Sequence, residues 1–168
     1  MFLVRKAEIE DMPAVAEIHV NTWKYSYKGI IDDSLLDKLS YENSAKNNAK
    51  LLEVKNIYIF VACFNNQIVG FIVFSTQPRD AIFKEYAEIF GLYILPDYQR
   101  QGIGKLLFNK AVEIFKINRL RAFMLWALKD NKDKVFYQKM GGTIVKESEH
   151  IIGGQPYKTE AWVWDKLC

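Results

Sequence analysis

The stretch YILPDYQRQGIGKLLFNKAVEIF, residues 93–115, reads as the end of a buried strand, a tight polar turn with two glycines, and an amphipathic helix. Ile103, Leu107, Ala111, Ile114 and Phe115 recur at helical spacing and form one apolar stripe. Gly102 and Gly104 lack a Cβ, so the backbone there can approach a ligand closely. A helix begins with unpaired N–H groups and the positive end of its dipole, which suits a phosphate or pyrophosphate. Arg100 and Lys105 add positive charge beside that point.

Two common phosphate loops do not fit. A P-loop would put its first glycine at Gln99 and its Ser/Thr at Leu106. A dinucleotide fingerprint would put its third glycine at Leu107. What remains is Gln99-x-x-Gly102-x-Gly104 between a strand and a helix. By itself that is equally an ordinary strand–helix turn. It also resembles motif A of the GNAT family of N-acetyltransferases, whose loop holds the pyrophosphate of acetyl-CoA. The surroundings must decide.

Before the loop, residues 86–95 read as a strand, and residues 56–64 and 67–75 as a hairpin joined at Asn65-Asn66. Residues 2–7 form a first strand, and an apolar face from Ala14 through Ile18 and Trp23 makes a helix to about Tyr27. Short helices follow through Leu36 and Leu39, and through Ala45, Ala49 and Leu52. After the loop, residues 122–128 form an apolar run of the kind a buried parallel strand shows. A short helix capped by Asp130 or Asn131 ends at Gly141-Gly142, and residues 143–152 and 158–166 are the last strands. The order predicts a single α/β domain over residues 1–168, with a mixed sheet and helices on both faces. It is similar to GNAT order over nearly the whole length. The resemblance implies a mostly antiparallel sheet of about seven strands that splays in the middle to admit the cofactor.

Composition sets outer limits. Half of the 168 residues are hydrophobic, which excludes a disordered chain. The net charge of +3 is compatible with an anionic cofactor and equally with a mixed-charge surface. Lys46, Lys50, Lys55 and Lys84 are scattered, so no nucleic-acid partner is expected. Cys63, Cys168, His19 and His150 lack ligand spacing, so no metal is expected either. No signal peptide or membrane span is apparent, and a cytoplasmic protein is the expectation. Trp162 or Trp164, if exposed on a terminal strand, could serve a homodimer; a monomer is the alternative.

Acetyl transfer to an amine needs a positioned thioester, a deprotonated amine, a donor for the oxyanion and a proton for the leaving thiolate. Glu88 stands inside an apolar strand, and regular alternation puts it on one face with Phe90, Leu92 and Ile94. It is the candidate base, directly or through water; Glu85 is the weaker alternative. The bland reading is a carboxylate near a strand end that reaches water. The resemblance favours the base, since GNAT enzymes that use a glutamate carry it at this distance before the loop.

The resemblance also matches Phe136-Tyr137-x-x-x-Gly141 to a family segment, which makes Tyr137 the acid for the thiolate rather than a packed core tyrosine. It assigns the backbone of Leu92, Tyr93 and Ile94 to the pantetheine arm, and Arg100, Gln101, Gly102, Ile103, Gly104 and Lys105 to the cofactor's phosphates. Many family members carry an asparagine seven residues before the tyrosine, contacting the pantetheine arm, which makes Asn131 a candidate cofactor contact with Asp130 as the alternative. Here that position is Asp130, with Asn131 one residue later. Gly142, where a Phe is common, is a second departure. Trp23 and Tyr27 match the acceptor side, and residues 152–157 the loop that closes it. The resulting expectation is direct transfer from acetyl-CoA to a primary amine, small-molecule or peptide, in a ternary complex. The alternative is a non-catalytic acyl-CoA-binding module of the same fold.

Overall fold

The computed structural model describes residues 1–167. Cys168 lies outside them. Strands β1 (Leu3–Lys6), β2 (Ile57–Phe64), β3 (Gln67–Ser75), β4 (Ala87–Ile94), β5 (Phe123–Leu128), β6 (Thr143–Ile152) and β7 (Gln155–Trp164) form one seven-stranded sheet. Its order is β1-β2-β3-β4-β5-β7-β6. Every neighbouring pair is antiparallel except β4 and β5, which run parallel. The β2–β3 hairpin turns on Asn65 and Asn66, both at positive φ, a conformation asparagine tolerates.

Helices cover both faces of this α/β domain. On one face α1 (Met12–Ser26) and α3 (Tyr41–Leu52) pack on Ile59, Val61, Phe71 and Val73. On the other, α4 (Ile103–Ile117) sets Ile103, Leu107, Ala111 and Phe115 on Ile72, Phe74, Ile89 and Leu125. The small helices α2 (Asp33–Asp37) and α5 (Val135–Lys139) close the ends of the sheet's open side. No helix among the described residues is long and apolar enough to cross a membrane.

Two features of β4 position the site. First, β4 pairs with β5 only from Ala87 to Ile89, against Phe123 to Leu125. Beyond Ile89 it follows β3 alone, while β5 continues along β7. The two strands therefore splay. Second, Val73 of β3 faces Gly91 and Phe74 faces Ile89, so Phe90 is an extra residue, a β-bulge. The bulge resets the alternation. Ala87, Ile89, Leu92 and Ile94 face α4, whereas Phe90 and Tyr93 pack toward α1. Leu92 and Ile94 thus do not share a face with Glu88, contrary to the regular alternation the sequence suggests.

A second expectation also changes. Trp162 and Trp164 are both buried, because β7 is an inner strand between β5 and the edge strand β6. They are not a surface for a dimer. Trp164 stacks on Phe123 at 4.6 Å and donates its indole N–H to the Met140 carbonyl at 3.0 Å. A Cβ at Gly142 would come within 2.6 Å of the Trp164 ring. The missing side chain at Gly142 is the space Trp164 fills.

The bulge has a testable consequence. Tyr93 folds its ring back over Gly91, where a Cβ would stand 2.5 Å from Tyr93 Cε2. Gly91→Ala must push that ring away from Trp23. We expect the unfolding free energy in urea to fall by about 1–3 kcal/mol. An unchanged midpoint would mean that the ring moves at no cost.

Candidate active site

Two cavities open in the splay. One, of about 320 Å³, lies between residues 89–93 of β4 and 125–128 of β5. Trp23, Tyr27, Arg79 and residues 150–152 of β6 complete its wall. The other, of about 300 Å³, lies over the start of α4, against Gln99, Arg100, Gly102, Gly104, Lys105 and Phe136. They share four residues, Thr22, Leu92, Asp133 and Tyr137. Any transfer between molecules held in the two halves has to take place there.

The α4 cavity is built by the glycine loop. Gly102 has φ +85° and open space where a Cβ would go, so its requirement is backbone conformation. Gly104 differs. A Cβ there would stand 3.3 Å from Ile94 Cδ1 and 3.4 Å from Phe136, at the cavity floor. No side chain caps α4. Its first ladder bond runs from Leu106 N–H to the Gly102 carbonyl at 3.1 Å. The amides of Ile103, Gly104 and Lys105 are therefore free for an anion. Gln99 donates its amide to the Ile94 carbonyl at 3.1 Å and ties the loop to β4. Arg100, Lys105, Lys132 and Lys139 supply positive charge at the wall.

The same geometry narrows two of the expected contacts. The Gln101 side chain donates to the Asp97 carbonyl at 3.0 Å and is absent from the cavity wall. The Ile103 side chain is buried in the core under α4. Each has only its backbone N–H to offer a ligand. In the splay, β4 beyond Ile89 has lost its partner on the β5 side, so backbone groups in the stretch Leu92, Tyr93 and Ile94 lie along an open strand edge. The Ile94 carbonyl is taken by Gln99.

The cleft cavity is aromatic. Trp23 donates its indole N–H to the Tyr93 hydroxyl at 3.2 Å and meets Tyr27 edge-on at 4.9 Å. Tyr25 points to solvent and takes no part. Burial raises the Tyr27, Tyr93 and Tyr137 phenols above their ordinary value, so all three keep their protons at neutral pH. Asn131, buried on the cleft wall, accepts the Asp133 N–H at 2.9 Å and caps the turn into α5. It stands on the cleft side and not in the α4 cavity, and the exposed Asp130 lines neither.

Glu88, the candidate base, is buried beside the cleft rather than open to it. It is 1% exposed and does not line the cleft. Arg79 occupies it. The Arg79 backbone N–H donates to Oε2 at 2.7 Å, and Nε and Nη2 donate to Oε1 at 3.0 and 2.6 Å. The guanidinium lies 4.0 Å over the Phe90 ring and reaches the cavity wall. Glu85, the alternative, is exposed and lines neither cavity.

Several wall residues escape a reading of the sequence. Arg79 sits in a connecting segment and looks like any surface arginine. Thr22 is 6% exposed, and its hydroxyl has no hydrogen-bond partner where the cavities meet. Only the helical offset from Trp23 could have hinted at it. His150 reaches the cleft wall, with Nδ1 2.6 Å from the Thr159 hydroxyl and its ring against Trp126. His19 is a packing residue outside the cleft, paired with the Ser44 hydroxyl at 2.7 Å.

Comparison with known proteins gives a consistent picture. A family model described as the acetyltransferase (GNAT) family matches residues 15–141. The chain is 27% identical over 168 residues to an uncharacterized N-acetyltransferase of Bacillus subtilis, YuaI, covering 99% of this chain and 95% of that one. It is 28% identical over 144 residues to the spermidine N(1)-acetyltransferase of Thermoplasma acidophilum, covering 82% and 86%. The solved PaiA N-acetyltransferase of Thermoplasma acidophilum, in complex with coenzyme A, shares the fold with a TM-score of 0.70 at 23% identity, over 95% of this chain and 98% of that one.

The Glu88–Arg79 pair makes its own prediction. In Glu88→Gln an amide N–H₂ must replace one of the two oxygens that accept from Arg79. One buried donor then faces another, so we expect a loss of about 1–3 kcal/mol in unfolding free energy by denaturant titration. A variant as stable as the parent would mean that the pair contributes nothing to the fold.

Proposed function

This chain belongs to the acetyltransferase (GNAT) family, and on that footing we propose that it moves an acetyl group from acetyl-CoA to a primary amine by direct attack, with both held at once. The observation that carries this reading is the meeting of two cavities at Thr22, Leu92, Asp133 and Tyr137. One half suits an anionic cofactor and the other an organic acceptor. The relative solved with coenzyme A supports the choice of cofactor.

The loop fits acetyl-CoA by its chemistry. The free amides at the start of α4, with Arg100 and Lys105, would take the pyrophosphate. The open edge at Leu92, Tyr93 and Ile94 would pair with the pantetheine arm. Once bound, the thioester supplies an activated acetyl carbon, and the rest falls to this chain. The unpartnered Thr22 hydroxyl would donate to the acetyl oxygen as negative charge grows on it. Trp23 and Tyr27 would hold the apolar body of the acceptor.

Tyr137 serves the sulfur. Burial that raises its phenol also limits what it can do. A thiolate, with a thiol pKa of roughly 8.5, is a weaker base than that phenolate. The phenol therefore stabilises the departing sulfur as a hydrogen-bond donor, and outright transfer of its proton is uphill. The amine's own proton leaves through solvent at the rim beside the exposed Asp133, since Glu88 is engaged by Arg79.

The test is release of free thiol from acetyl-CoA across a panel of primary amines. Amine-dependent release is expected. Tight acetyl-CoA binding with no release for any amine would favour a non-catalytic acyl-CoA-binding module. Gly104→Val, which fills the cavity floor, is expected to weaken CoA binding at least about tenfold by calorimetry while the protein still folds. Unchanged affinity would remove the pyrophosphate from this loop. Tyr137→Phe is expected to lower turnover by about a hundredfold with little change in CoA affinity. Parental turnover at every pH would leave Tyr137 as packing alone.

A further inference from the structure

We propose that the amine this protein acetylates also carries a carboxylate, and that Arg79 binds that carboxylate. The inference rests on the transfer reading above and adds the class of acceptor to it. Arg79 is the only Arg or Lys among the described residues that line the cleft cavity. Its guanidinium is held from two sides, by Glu88 Oε1 through Nε and Nη2 and by the Phe90 ring beneath it, while the Arg79 backbone N–H fixes Glu88 through Oε2.

Those contacts use two of the five guanidinium N–H donors. The two on Nη1 and the second on Nη2 have no partner among the described residues, and the side chain is 59% exposed. An arginine that merely faced solvent would need no such support. Burying Glu88 costs desolvation, and among the described residues the only hydrogen-bond partner of its side chain is Arg79. The outcome of that cost is a guanidinium with a fixed aim at the cleft.

The pair is formally neutral, so its attraction for a ligand is local and directional. A planar fork of free donors matches a carboxylate with two parallel bonds. The polarity of the cleft runs the same way. Asp133 stands where the two cavities meet, and Arg79 lines the cleft alone. An ammonium at the meeting point faces Asp133, and a carboxylate beside Phe90 faces Arg79. Arg79 stacks on Phe90, and the meeting point begins at Leu92, on the order of 7 Å along the strand. That spacing suits an amino acid or short peptide whose amine lies a few bonds from its carboxylate. A polyamine would set a second ammonium against the guanidinium, so the spermidine-acetylating relative is no guide to this acceptor.

The test uses matched pairs that differ by one carboxylate: lysine against cadaverine, ornithine against putrescine, and tyrosine against tyramine. Binding to the full chain saturated with CoA is measured by calorimetry, and transfer by thiol release from acetyl-CoA. The carboxylated member of at least one pair is expected to bind about ten- to a hundredfold more tightly. Arg79→Met should bring its affinity down to that of its partner, and Arg79→Lys should restore only a minor share. If Arg79→Met folds poorly with Glu88 left buried, the double variant Arg79→Met/Glu88→Gln gives the same reading, and the parent's own preference needs no variant. A parent that binds no carboxylated amine better than its partner overturns the inference. So does a preference that survives in folded Arg79→Met. Tighter binding of carboxylated amines without thiol release upholds the inference and overturns the transfer reading. Thiol release that favours the decarboxylated partners does the reverse.

Discussion

Among the described residues, three strand pairings join the two halves of the sheet. Ala87, Glu88 and Ile89 lie against Phe123, Met124 and Leu125, and then β4 and β5 part. Each strand keeps its other neighbour, β3 or β7, so the halves remain ordered while the gap opens. Backbone groups along the gap have no strand to pair with, and a buried polar group without a partner is costly. Water or a ligand must satisfy them. The loop that leaves the end of β4 carries the uncapped start of α4 to the same opening. One interrupted ladder therefore places strand-edge and helix-end donors within reach of a single extended molecule.

The bulge at Phe90 sharpens this arrangement. One extra residue sends Leu92 toward the α4 side and Phe90 and Tyr93 toward α1. Phe90 becomes the floor for Arg79, and Tyr93 the hydrogen-bond partner of Trp23. Glu88, just before the bulge, is drawn away from the cleft and into the pair with Arg79. A carboxylate that would read as a base on a regular strand becomes the support of a cation. The cleft wall thus takes its character from a backbone irregularity as much as from its side chains.

Much of this was legible because its causes are local. The glycine loop depends on a contiguous run, in which Gly102 serves a backbone angle and Gly104 a close approach. The alternation of strands and helices came from periodicity, and the β2–β3 turn from two adjacent asparagines. Trp23 and Tyr27, four apart on one helical face, were expected together and line the cleft together. The errors have non-local causes. Trp162 and Trp164 stand on the last strand of the sequence, yet that strand is an inner one because β6 pairs outside it. Gly142 looked like a departure from pattern, and its reason is an indole more than twenty residues away.

The sequence by itself determined the class of fold, the order of its elements, and the glycine loop at the start of α4. Each follows from spacing, side-chain size or backbone freedom within a short segment. Only the tertiary structure decided which side chains line the place where the two cavities meet. Thr22 comes from α1 and Asp133 and Tyr137 from the segment around α5, and no local pattern relates Thr22 to the other two. The partner of Glu88 lies nine residues back across a connecting segment. Periodicity assigns a residue to a face only while the backbone stays regular. Where a strand bulges and a sheet splays, the assignment passes to packing, which distant parts of the chain supply.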